Sequence, residues 1–160
     1  DLVLRYREEE LKNGIPYCTV ERFISLYKSH LTKPAPGIQW NRHLLASLMC
    51  RMENVVFFGN CHNVFVFTND SGPLKTFGDF LKYMLVHEYN GSASLKEFTK
   101  YLSSKIKVVK RELTPSMIEG YEDLAVENGN IFVKNQSENA VPVEPPRIIE
   151  PTDEVPHLPK

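Results

Sequence analysis

The chain has 160 residues, 42% of them apolar and 24% charged, and its formal net charge is −1. That composition belongs to one ordinary folded domain or two small ones, and no run approaches the roughly 18 consecutive apolar residues of a membrane-spanning helix. The charge balance argues against a long grip on duplex phosphates, which takes a clear positive excess, so any phosphate contact falls to a local patch.

Leu2 to Lys12 predicts a first helix, with Leu4 and Leu11 on its apolar face and Glu8, Glu9 and Glu10 on a solvated one. Asn13-Gly14 ends it, because glycine accepts the left-handed conformation of a helix C-terminus. Ile15-Pro16-Tyr17 is a short extended link. Thr19 is placed to cap a helix from Val20 to about Leu31 that buries Phe23, Ile24, Tyr27 and Leu31. A proline-containing loop from Lys33 to Gly37 leads to Asn41, the expected cap of the next helix, with Trp40 folding onto Leu45 as a hydrophobic staple. Leu45, Leu48, Met49 and Met52 give that helix a core stripe at helical spacing. Val55 to Phe58 and Val64 to Phe67 are β-rich runs joined by Gly59-Asn60-Cys61-His62-Asn63, a loop of hairpin length.

After the turn-rich Asp70 to Pro73, Thr76 to Tyr89 predicts a strongly apolar helix with Phe77, Phe80, Leu81, Met84 and Leu85, closed by Asn90-Gly91. Ser94 and Glu97 read as a capping box for a helix to Ile106. A basic loop, Lys107 to Arg111, follows. Thr114 with Pro115 at the first helical position starts a helix expected to reach about Glu127, with Leu113 and Ile118 as its staple. Asn128-Gly129 then turns into a strand, Ile131 to Val133. From Gln136 onward six of the eleven prolines fall between Pro142 and Pro159, acids outnumber bases and no aromatic residue remains, the composition of an extended linker.

Helix, helix, hairpin is the skeleton of a winged helix, and it recurs. Phe23, Tyr27 and Leu31 map onto Phe98, Leu102 and Ile106 at a displacement of 75 residues, and Val56-Phe57 maps onto Ile131-Phe132 at the same displacement. The expected fold class is therefore α+β, mostly helical, with winged-helix modules over 1–70 and 74–135, the second with a reduced wing, and a Pro-rich tail over 136–160. Its opening at Asp1 reads as the start of a segment of a longer protein.

No catalytic constellation stands out. Cys18, Cys50 and Cys61 are an odd number without the short paired spacing of a structural zinc or a disulfide framework, which points to a reducing, intracellular setting, of which we expect the cytoplasm ahead of the nucleus on grounds other than the cysteines. Asn69, Asn90 and Asn135 open N-x-Ser triplets, yet nothing else is secretory. There is no phosphate-cradling glycine loop and no nucleophile with an orienting partner, so we expect a non-enzyme that needs no cofactor.

In a winged helix that reads DNA, the last helix before the wing presents basic or amide side chains to the major groove. Here that face shows His43, Ser47 and Cys50 with Arg42 and Arg51 at its edges, and the second copy shows Glu119, Glu122 and Asp123. The acids disfavour duplex DNA and offer a partner-binding face instead. Cations gather elsewhere: Lys100, Lys105, Lys107, Lys110 and Arg111 in the second copy, with Arg22, Lys28 and Lys33 in related places of the first. Such loops suit a sugar-phosphate backbone held without base readout, and RNA fits them better than duplex DNA.

The first module resembles the LOTUS domain, also called OST-HTH, through Phe23, Ile24, Tyr27, His30 and Leu31, then Val55-Val56, Gly59 and Val64 to Phe67. The second is similar to the shorter copies in Egalitarian-like RNA-transport adaptors. The resemblance implies an RNA-regulatory or germ-granule protein that binds RNA or docks onto a protein partner such as an RNA helicase or scaffold. A winged helix of the regulatory factor X or viral-primase type fits the apolar pattern nearly as well.

Overall fold

The computed structural model describes residues 1–69 and 72–134 as an α+β arrangement of helices and two three-stranded antiparallel sheets. The expected Pro-rich tail lies outside the described residues. The Asp1 carboxylate accepts from the Val3 amide at 3.0 Å and caps α1 (Leu2–Lys12). The chain then forms β1 (Cys18–Thr19) and α2 (Val20–Tyr27), capped as expected by the Thr19 hydroxyl on the Arg22 amide at 3.3 Å. That helix ends sooner than its apolar spacing suggests, giving way to a 3-10 turn over Lys28–His30. Asn41 caps α3 (Arg42–Met49), and β2 (Val55–Phe58) pairs with β3 (Val64–Phe67) in a hairpin, with β1 on its far edge.

The second half repeats this order: α4 (Phe77–Tyr89), β4 (Ser92–Ser94), α5 (Leu95–Tyr101) running into a π-helical turn over Leu102–Ile106, α6 (Pro115–Ile118), β5 (Leu124–Glu127) and β6 (Asn130–Val133). Leu2 and Phe77, and Val20 and Leu95, start equivalent helices 75 residues apart. The strands do not keep that spacing. Val55 corresponds to Leu124 and Val64 to Asn130, so Val56-Phe57 has no equivalence with Ile131-Phe132. Part of the shortening lies in α6, which stops at Ile118 instead of running to Glu127, and part in the turn of the hairpin; the apolar residues that extend the helical spacing of α6, Leu124 and Val126, belong to a strand. The strands of the second hairpin are as long as those of the first, and what is reduced is the turn between them, two residues in place of five. Its two-residue turn, Asn128-Gly129, has φ of 50° and 76°, the positive pair that matches the twist of the flanking strands. The Ser94–Glu97 capping box does not form, and one forms instead between Thr76 and Asp79 at the start of α4.

Two apolar clusters result. One joins α1, α2, α3 and the inner hairpin face through Tyr6, Phe23, Tyr27, Leu45, Met49, Phe65 and Phe67. The other is shared between the halves: Phe58, Val64 and Val66 of the first hairpin pack with Phe80, Leu81, Leu85, Phe98 and Ile131. Tyr17, in the link after α1, adds edge-to-face contacts with Phe80 and Tyr83 across the same boundary.

Burial corrects three assignments. Leu4 and Leu11 are exposed, while Tyr6 and Glu10 carry the buried side of α1. Glu10, expected on a solvated face, is 2% exposed and receives the Arg22 Nε–H at 2.9 Å. Leu48 is 44% exposed, and Ala46 takes its place in the core.

Candidate nucleic-acid interface

The basic loop is fastened from both sides. The π-helical turn ends at Lys107, whose φ of 56° is left-handed, and Val108 and Val109 then drop into the shared core. On the other side the first hairpin's turn meets the loop: the Asn60 amide donates to the Val108 carbonyl at 3.1 Å, and the Lys110 amide donates to the Asn60 side-chain carbonyl at 2.9 Å. Gly59 permits this approach, since a Cβ there would lie 2.0 Å from the Val108 carbonyl oxygen. Asn63, 1% exposed, completes the junction by donating to the Ile106 carbonyl at 2.7 Å and accepting from the Glu21 amide at 3.1 Å. Farther along, the Leu113 amide donates to the Thr99 hydroxyl.

This clamp divides the eight candidate cations. Lys107 is spent on an ion pair with Glu21 of the first half, and Arg22 on its pair with Glu10, which raises the guanidinium pKa further through that hydrogen bond and charge. Among the described residues no carboxylate lies within ion-pair distance of the side chains of Lys28, Lys33, Lys100, Lys105, Lys110 or Arg111. Those six are distributed, not gathered into one track. Lys110 and Arg111 border a cleft of about 630 Å³ between the hairpin turn, the loop and α6. Lys105 borders a second, of about 480 Å³, beside Arg22, Glu10, Glu21 and Asn63, where the two signs of charge offset each other. Lys28 and Lys33 border a third, of about 360 Å³, with Trp40, whose indole N–H donates to the Thr32 carbonyl.

Glu119, Glu122 and Asp123 are exposed, but they occupy the turn between α6 and β5, not an outer helix face. Asp123 pairs with Lys82 at 3.2 Å. On α3 the exposed face holds His43, Ser47, Leu48 and Cys50, with the Ser47 hydroxyl turned back onto the His43 carbonyl. The Arg42 Nη1 is buried without a hydrogen-bond partner, so this arginine does not present its whole fork to solvent. A face so poor in outward cations has little to offer a major groove.

All three cysteines are free. Burial, with Glu10 nearby, pushes the Cys18 thiol up to about 12, far from a reactive thiolate at neutral pH. Among the described residues no group of three or more His, Cys, Asp or Glu side chains is placed to hold a metal ion, and no helix is long and apolar enough to cross a membrane.

Comparison with protein-family models, curated proteins and solved structures finds no match. The clamp residues Asn60 and Asn63 escape sequence reasoning because a turn of this composition needs no partner, and nothing local pairs it with a loop some fifty positions later. A signal was present at the other end: Val108-Val109 interrupts a run of lysines, the mark of a loop anchored in a core.

Proposed function

We propose that the protein is a non-catalytic binding module of an RNA-regulatory protein, built of two tandem winged-helix units, that holds the sugar-phosphate backbone of RNA through the loop around Lys105, Lys110 and Arg111. The order helix, strand, helix, helix, strand, strand in each half supports the winged-helix assignment. The observation that carries the RNA reading is the clamp: Lys110 and Arg111 stand exposed and without ion-pair partners on a loop fixed by the Asn60 and Val108 hydrogen bonds. Cations on a rigid frame lose less entropy when they engage phosphates than cations on a free loop. Lys28 and Lys33 extend the basic surface into the first half, and Lys100 lies outside all three clefts. This function belongs in the cytoplasm.

The second reading is a scaffold that binds a protein, such as an RNA helicase, and touches no nucleic acid. Leu48 and Val56, 44% and 39% exposed, favour it on the first half, and Glu119, Glu122 and Asp123 give it an acidic surface on the second. Duplex DNA has the weakest support, because neither α3 nor α6 offers a basic outer face.

A mobility shift with RNA, single-stranded DNA and duplex DNA at two salt concentrations separates the readings. Changing Lys105, Lys110 and Arg111 to Glu should weaken binding to every RNA. It should also reduce the log–log salt slope by about 0.7 for each single-strand phosphate that is no longer neutralised. Unchanged affinity and slope, or no RNA binding by the parent at low salt, would put the scaffold ahead.

A further inference from the structure

The cleft beside Lys110 and Arg111 has a chemistry that backbone binding does not use. Its walls include Phe77 at the start of α4, Val109 and Leu113 from the clamped loop, and Met117 on α6, and the exposed Lys110 and Arg111 line the same cleft. Met117 is 53% exposed, the highest value among the large apolar side chains described, and stands open to solvent. Phe77 is half-buried, its ring stacked within 14° of parallel to Phe80 and met edge-on by Tyr121, so its position is fixed from behind.

We propose that this cleft receives an unstacked nucleobase of single-stranded RNA, with the flanking phosphates on Lys110 and Arg111. The inference rests on the RNA reading and narrows it to a strand class. An apolar recess bordered by exposed cations matches a nucleotide in both parts: a flat, weakly polar base that gains from leaving water, and anionic groups on either side of it. A duplex keeps its bases stacked and paired, and cannot fill the recess without extruding one. Glu112 also lines the cleft. Its carboxylate accepts hydrogen bonds, which the ring or exocyclic N–H groups of every RNA base can donate and the ionised side chains of an acidic peptide cannot. The volume of about 630 Å³ leaves room for a base to settle without displacing either half.

The test compares three probes against the intact protein by fluorescence anisotropy: a single-stranded oligoribonucleotide, the same strand with abasic riboses through its centre, and an RNA duplex of equal length. The expected order is single strand first, by at least tenfold over both others. Met117→Ala, an exposed substitution whose folding is checked by circular dichroism, should remove most of that preference and leave affinity for the abasic strand unchanged. Photocrosslinking with 4-thiouridine should mark Phe77 or Met117. Equal affinity for the normal and abasic strands, or crosslinks confined to other surfaces, overturns the base pocket while leaving the backbone reading intact. No affinity for any strand overturns both. Binding of an acidic peptide at the cleft, with RNA failing to displace it, assigns the cleft to a protein partner and also overturns the proposal.

Discussion

Gly59→Ala is the sharpest test of the junction that shapes the loop. Gly59 has φ of +69°, and a methyl there would sit 2.0 Å from the Val108 carbonyl oxygen and 2.9 Å from its Cγ2. Two costs are separable. The left-handed conformation costs an L-residue roughly 1–2 kcal/mol. Gly14, with φ of +75° and nothing within 4 Å of its would-be Cβ, incurs that cost alone and serves as the control. At Gly59 the turn and the loop must also separate, which strains the 3.1 Å bond from the Asn60 amide to Val108 and the 2.9 Å bond from the Lys110 amide to Asn60. At about 0.5–1.5 kcal/mol net for each bond, Gly59→Ala should cost about 2–5 kcal/mol, about 1–3 more than Gly14→Ala. Urea denaturation followed by circular dichroism measures both variants. Single-strand RNA affinity should fall in the Gly59 variant alone, although no charge has changed. Stabilities of the two variants within about 0.5 kcal/mol of each other would refute the clamp as a source of stability.

Asn63→Ala removes two hydrogen bonds at a position 1% exposed, and should cost about 2–4 kcal/mol by denaturation; a loss under about 1 kcal/mol would show the junction to be wet. Arg22→Ala leaves the buried Glu10 carboxylate without its partner and should cost about 1–3 kcal/mol, discounted because the arginine is half exposed. Lys107→Ala breaks a pair exposed on both sides and should cost less than about 1 kcal/mol, so equal losses would contradict the burial argument. Alkali should unfold the protein early. Burial raises Cys18 from 9.0 to about 12 and Tyr17 from 10.0 to about 12, so between those values the unfolded chain binds fewer protons than the folded one. Stability is therefore complete below about pH 9 and lost as pH climbs toward 12. Cys18→Ala should flatten the first part of that fall, and a urea midpoint constant from pH 8 to pH 11 would count against it.

The elements legible in the sequence were those whose signals are local. Val55 to Phe58 and Val64 to Phe67 are bounded by turn residues on both sides, and the caps Thr19 and Asn41 each stand directly before an apolar helical run, whereas the Thr114 side chain makes no capping hydrogen bond. β5 was hidden because Leu124 and Val126 continue the helical spacing of Ile118 and Tyr121, and Gly120 alone marked the break. β1 and β4 are two and three residues long, too short to show alternation, and exist because β3 and β6 offer them ladder partners. Glu10 lies in a run of three glutamates, and only tertiary placement beside Arg22 separates it from its neighbours. For the site, sequence located the cations but not their division among clefts, which depends on packing between halves distant along the chain.

The hairpin that lends Phe58, Val64 and Val66 to the other half's core also sets an order of events at the ribosome. Phe67 is synthesised 66 residues before Val133, an interval of about 3–13 s at roughly 5–20 residues per second. Throughout it the nascent hairpin shows an apolar face whose cover has not yet been translated. A chaperone has that window in which to act. Damage in the second half, such as loss of Phe80 or Ile131, should therefore surface first as protease cleavage in the earlier hairpin, far from the altered residue.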